Sequence, residues 1–278
     1  MRPDSIDIND IGSCSLQQQF AQAGRPLLMP YAVGGYPDVE SCNRILQAYK
    51  EGGADLIEIG IPFSDPLADG PVIQGASTIA LQKGVRPHNV LELAAEASGQ
   101  GIGVVLLSYL NTILAFGIER FFGRCRECGV LGVVIPDLPV EEAIEIQKKA
   151  RQTGVEVILL VAPTSTDARL ARIAAAASGF IYCVSTTGVT GARASLRADL
   201  PTFLRRVRKY TDLPLAVGFG VSSIEQVSAV AKYADGVIIG SALVDMVAQA
   251  SHLQTALHEI KTYLGAAKTA IEETSSKS

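Results

Sequence analysis

The 278-residue sequence has no long hydrophobic run. Its longest apolar stretches, such as Val104–Leu107 and Val157–Ala162, fall far short of the roughly 18 residues that span a bilayer, so no membrane-spanning helix is expected. Met1 to Asp10 mixes Asp, Arg and Pro without an apolar h-region, which argues against a signal peptide and makes a cytoplasmic location the default. An excess of basic residues is also missing. With 24 Lys and Arg against 28 Asp and Glu the net charge is −4, and a nucleic-acid footprint would need a basic face. Cysteine is sparse and odd in number: Cys14, Cys42, Cys125, Cys128 and Cys183 lack framework spacing and read as free thiols. Cys125-x-x-Cys128 has no second CxxC and no histidine at finger spacing. It lies in the charged, helix-like run Glu119–Gly129 and reads as structural. No GxGxxG fingerprint opens a first helix, and no GxxxxGK[ST] loop occurs, which weakens a nucleotide-binding reading. The absence of metal-ligand clusters argues against metal-dependent chemistry.

What is present is a large apolar fraction, 48%, with 19% charged residues, enough for a substantial core. Eight short β-branched segments recur: Leu27–Val33, Asp55–Ile59, Ile102–Leu107, Val130–Pro136, Val155–Val161, Phe180–Ser185, Leu213–Val217 and Gly236–Ile239. Near-continuous apolar runs of this kind suit parallel strands covered on both faces. Helical segments lie between them. Val39–Gly52 places Ile45, Leu46 and Tyr49 on one face, and Val140–Thr153 opens with Glu141 and Glu142 and closes with Lys148, Lys149 and Arg151, complementing a helix dipole. Eight β/α units without a linker predict a single-domain (β/α)8 TIM barrel, which takes about 250 residues. The expected organisation is an N-terminal helical segment over 1–25, the barrel over 26–265, and a polar tail over 266–278 that is a frayed helix end or disordered.

Barrel enzymes carry function in the loops after their strands, and the stretch from Gly60 to Gly101 is long. Glu58 alternates in phase with Leu56, which can place it inside the barrel; a carboxylate there is costly to desolvate, so its pKa would rise towards acid–base use. The alternative is a Glu that points outward or pairs with a Lys. The loop Ile61–Gln74 carries Asp65 and Asp69, stiffened by three prolines. Turn chemistry alone accounts for Asp65, whereas Asp69 is open to either reading. At the other end, Thr187–Gly191, Gly218–Ser222 and Gly240-Ser241 follow the sixth, seventh and eighth strands. Small residues there let backbone N–H groups approach an anion, as in the phosphate sites of barrels, unless they are merely tight turns.

With these residues in view, the chain resembles the tryptophan synthase alpha subunit family from about Pro26 to Leu264. The most specific stretch is Glu58-Ile-Gly-Ile-Pro-Phe-Ser-Asp-Pro-Leu-Ala-Asp-Gly-Pro-Val-Ile-Gln74, supported by Pro136–Pro139, Ser185–Gly191, Gly218–Gly220 and Gly240-Ser241. The resemblance implies cleavage of indole-3-glycerol phosphate to indole and glyceraldehyde 3-phosphate, without a cofactor in this chain. It further implies an α2β2 assembly with a beta subunit that uses pyridoxal phosphate and receives the indole. By position it assigns Glu58 as general acid–base and Asp69 as the acid at the indole N–H. Tyr182 would line the site, Phe219 and Leu107 would lie near the indole ring, and Gly191, Gly220, Gly240 and Ser241 would cradle the phosphate. Asp65, Pro66, Asn111, Asp137 and Pro139 would face the beta subunit. The chain departs from the family pattern at Val33, Tyr36 and Leu131, where Thr, Asp and Asp are more usual. These changes leave open a stand-alone lyase, or a weak barrel retained to activate a partner.

Overall fold

The computed structural model describes residues 15–184, 199–218 and 220–276. Eight parallel strands close into a barrel in sequence order: β1 (Leu27–Val33), β2 (Leu56–Gly60), β3 (Gly103–Leu107), β4 (Val130–Val134), β5 (Glu156–Val161), β6 (Ile181–Val184), β7 (Leu215–Gly218) and β8 (Gly236–Ile239). Closure is made by β8 against β1, with Leu28 opposite Val237 and Met29 opposite Ile238. A barrel has no free edge, so every strand can be apolar on both faces without exposing unpaired backbone. All seven residues of β1 and all five of β2 are buried accordingly.

Helices alternate with the strands around the outside. The segment between β2 and β3, a single long connection in the sequence, contains two: α3 (Pro71–Gln82) and α4 (Pro87–Gly99). Each has proline in its first turn, where the missing N–H costs nothing. Two helices, α5 (Leu110–Phe116) and α6 (Ile118–Glu127), likewise follow β3. Cys125 is buried in α6, and Cys128, also buried, caps it; burial pushes both thiols up, as suits inert core groups. The next helix, α7 (Val140–Arg151), keeps its acidic first turn and basic last turn.

The N-terminal end of the barrel is plugged by α1 (Leu16–Ala23). Leu16 is fully buried, and side chains of α1 occupy the space left by glycines in three strands. A Cβ added at Gly103 would meet Gln19, at Gly132 Leu16, and at Gly236 Phe20. Above this plug the barrel is filled by side chains up to its C-terminal mouth. There α10 (Ile224–Ala231) and α11 (Ser241–Gln249) begin, after β7 and β8.

The expected tail is corrected by the last helix. Over its described residues the 266–278 segment is neither frayed nor disordered, because α12 (Leu253–Ser275) runs unbroken through it. The reason is a continuing apolar stripe: Ile260 and Leu264 are followed by Ala267, Ala270 and Ile271, all buried. The helix packs across α10, α11 and α2 (Val39–Glu51), strapping the last units to the first. Lys268 anchors it at 2.6 Å to Asp55, which also accepts two hydrogen bonds from Arg25 and one from the Leu28 N–H. Among the described residues no helix is long and apolar enough to cross a membrane.

Candidate active site

Glu58 is the central residue of β2, opposite Tyr31 on β1 and Val105 on β3. Alternation turns it inward, and only 2% of its surface is exposed. Its Oε1 atom is buried without a hydrogen-bond partner among the described residues. A carboxylate in that position would be uncompensated, so burial, reinforced by the charge of Asp69, pushes the Glu58 carboxyl up to about 8.

Asp69 comes from the loop after β2. The loop folds back on itself through Leu67 N–H to Asp65 O and Asp69 N–H to Pro66 O, both at 2.9 Å. From α3, the Gln74 side chain fixes the Asp69 carbonyl at 2.8 Å. These bonds bury Asp69 to 4% exposure at the barrel mouth. Burial raises its carboxyl to about 6, and a hydrogen bond from the Tyr109 hydroxyl to Oδ2, 3.2 Å long, holds it down. The same hydroxyl accepts from the Ala68 N–H at 3.0 Å, and the Tyr109 ring stacks on Phe63 with centroids 5.0 Å apart. Two buried acids thus receive different support and titrate apart, as in sites that divide acid and base work.

One cavity at the mouth is lined by Tyr31, Asp69, Ile73, Leu107, Tyr182, Gly220, Ile238, Gly240 and Ser241. It brings together six positions picked out in the sequence: Asp69, Leu107, Tyr182, Gly220, Gly240 and Ser241. Glu58 lies beneath them in the barrel interior, close enough for the charges of Glu58 and Asp69 to act on each other and on Tyr31 and Tyr182. The two tyrosines fit because the adjacent strands end in glycine. A Cβ at Gly60 would collide with the Tyr31 hydroxyl, and one at Gly218 with the Tyr182 hydroxyl.

The two helices that begin at the glycine rim are capped differently. Helix α10 caps itself: Gln226 Oε1 accepts from the Ser222 and Ser223 N–H groups, and Ser223 caps the Gln226 N–H. Helix α11 follows its N-cap Gly240 with no side-chain cap, and Gly240 and Ser241 line the cavity together with the left-handed Gly220 (φ 96°). Gly191 and Phe219 lie outside the described residues. Among those described, no three His, Cys, Asp or Glu side chains cluster to hold a metal ion.

The sequence does not single out Tyr31, Tyr109, Ile73 or Ile238. Tyr109 follows the third strand, where barrel enzymes place functional groups, and Tyr31 is the register partner of Glu58. Of the positions expected to face a partner, Asp65, Asn111 and Asp137 are exposed and Pro139, the N-cap of α7, is partly so, whereas Pro66 is buried within its own loop. Asp137 accepts from the Leu110 N–H at 2.9 Å, tying the loops after β3 and β4 together. Leu67, between Asp65 and Asp69, is 89% exposed. None of Val33, Tyr36 and Leu131 lines the cavity. A wider groove at the opposite end of the barrel includes Arg25 and Arg208, but these are already paired with Asp55 and Asp235, and no buried acids converge there.

The family model for the tryptophan synthase alpha chain matches residues 17–272. A tryptophan synthase alpha chain from Roseiflexus sp. (strain RS-1) is 49% identical over 230 residues, 82% of this chain and 88% of the relative. The structure of Mycobacterium tuberculosis tryptophan synthase superposes with a TM-score of 0.85 at 36% identity, covering 93% of this chain and 99% of that one. A chain of the tryptophan synthase α2β2 complex from Pyrococcus furiosus superposes with a TM-score of 0.82 at 36% identity, covering 88% and 98%. On sequence and fold alike, this chain belongs to the tryptophan synthase alpha chain family.

Proposed function

We propose that this chain cleaves indole-3-glycerol phosphate by a retro-aldol reaction and delivers indole to a beta subunit. The observation that carries the reading is the pair of buried acids, Glu58 and Asp69, beside a cavity that Asp69 lines together with the uncapped N-terminus of α11. An apolar ring flanked by Leu107, Ile73 and Ile238 suits the indole, and the amides at Gly240 and Ser241 suit the phosphate.

Glu58, with its carboxyl pushed up to about 8, is protonated at neutral pH and donates to C3 of the ring. Asp69, at about 6, is ionised there and balances the positive charge that develops at the ring N–H. The Glu58 carboxylate then takes the proton of the hydroxyl on the attached carbon. The bond from that carbon to C3 breaks, its electrons return to the ring, and the carbon leaves as an aldehyde. Each positioned acid–base group contributes about 10²–10⁴-fold.

The exposed rim formed by Asp65, Leu67, Asn111 and Asp137 is where the beta subunit docks in this reading, within an α2β2 assembly. Pyridoxal phosphate belongs to that subunit, and the chain works in the cytoplasm. An indole-release assay of the purified chain, with and without a beta subunit, tests the proposal. Release that rises on adding the beta subunit is expected, and no release from the mixture would overturn it.

A further inference from the structure

The phenol of Tyr31 bridges the two ends of the cavity. Its ring lies beside the glycine rim, since a Cβ added at Gly240 would stand 3.6–3.8 Å from Cδ1, Cβ and Cγ of Tyr31. Its hydroxyl reaches the other way, over Gly60 at the end of β2, two residues beyond Glu58. Tyr31 lines the cavity together with Asp69 and Gly240, and its phenol is near enough to Asp69 and Glu58 to feel both charges.

The three tyrosines of the site differ in how their hydroxyls are employed. That of Tyr109 is committed to Asp69 and Ala68. That of Tyr182 packs over Gly218, as that of Tyr31 packs over Gly60. The Tyr31 hydroxyl makes no hydrogen bond to a described residue, although its residue is only 5% exposed and lines the cavity. The Tyr31 backbone is fixed independently: its carbonyl accepts from the Tyr49 hydroxyl at 2.9 Å, and its strand pairs on both sides. A cavity-lining hydroxyl on a fixed strand, without a partner among the described residues, is available to a ligand.

We propose that Tyr31 is a specificity-determining residue whose hydroxyl donates to the hydroxyl oxygen on the substrate carbon attached to the ring. This inference rests on the proposed cleavage reaction. Burial and the nearby Asp69 and Glu58 charges push the phenol well above its ordinary value, so Tyr31 keeps its proton throughout. The proton lost from the substrate hydroxyl goes to Glu58, and Tyr31 supports the oxygen as negative charge grows on it. The ligand class is an aryl-alkyl phosphate bearing a hydroxyl beside the ring, selected over the same skeleton without it.

The test compares Tyr31→Phe with the unmutated chain, each full length and with a beta subunit, using two ligands. One is indole-3-glycerol phosphate. The other is an indolyl-propyl phosphate, which keeps ring and phosphate but lacks both chain hydroxyls. The expected result is a fall in kcat/KM for the first of about tenfold to a hundredfold, with the inhibition constant of the second changed less than about twofold. Equal weakening of both ligands would mean that Tyr31 only shapes the cavity, and an unchanged kcat/KM would mean that its hydroxyl is idle; either overturns the proposal. If the unmutated chain itself fails to cleave, the cleavage reading falls and this inference with it. Cleavage by the unmutated chain matched by Tyr31→Phe defeats this inference alone.

Discussion

The Tyr109 hydroxyl donates to Oδ2 of Asp69 across 3.2 Å, and this bond adds to the deeper burial of Glu58 in holding the two acids apart. Both carboxyls are raised by burial, but only Asp69 has a donor to support its charged form. Tyr109→Phe removes that support, so the Asp69 pKa should climb above about 6. Since Asp69 works as the anion, the acidic limb of the pH–rate profile for indole release should shift to higher pH. An unmoved limb would show that Asp69 does not depend on Tyr109.

Glu58→Gln should abolish cleavage, by about 10²-fold or more, while leaving the fold intact, because the amide fills the same space without an exchangeable acid. It should also change how stability depends on pH. Glu58 is raised in the folded state, so between about pH 4.5 and 8 the folded chain binds more protons than the unfolded one. Ionisation of Glu58 therefore costs the fold nothing below that window. Within it the cost grows by about 1.4 kcal/mol for each pH unit crossed. Unfolding of the two proteins at pH 5 and pH 9 should show Glu58→Gln gaining on the native chain at the higher pH. An equal difference at both would place the Glu58 pKa near its ordinary value.

Much of the barrel is legible in the sequence, because eight apolar segments separated by helical periodicity leave few other architectures. Strand ends are less legible: the fourth apolar segment runs to Pro136, whereas β4 stops at Val134. Glu58 can be placed inward from its phase with Leu56, yet its partners cannot, since they come from neighbouring strands. Asp69 cannot be told from a turn residue without the family pattern, because its burial depends on the Gln74 and Tyr109 contacts across the loop. Tyr31 is hidden by its own strand: every residue of β1 is buried, so no polar–apolar alternation marks which side chains face the cavity. The end of α12 is masked by the polar residues after Ala266, although the apolar spacing of Ala267, Ala270 and Ile271 carries the helix through them.

Gly60 makes room for the Tyr31 hydroxyl, and a methyl group there would collide with it. Gly60→Ala should lower stability by about 1–3 kcal/mol, the usual cost of overpacking a dense interior. Thermal unfolding of Gly60→Ala, Tyr31→Phe and the double variant should reveal coupling, with the double variant recovering part of the loss. Strict additivity would mean that the clash is relieved elsewhere.

At Gly240 the surroundings are looser, and an added Cβ meets only ordinary contact with the Tyr31 ring. Gly240→Ala should therefore fold normally but crowd the α11 N-terminus at the cavity. A several-fold rise in KM for the phosphorylated substrate, and in the inhibition constant of inorganic phosphate, is expected with little change in kcat. Unchanged constants would remove the α11 N-terminus from the phosphate site.

The protonation state of Glu58 can be read directly from the infrared carboxylic-acid band lost in Glu58→Gln. On the unliganded full-length chain the band should persist through neutral pH and titrate away near pH 8, while that of Asp69 is gone above about pH 6. A Glu58 band already absent at pH 6 would contradict a proton-donating Glu58 at the floor of this site.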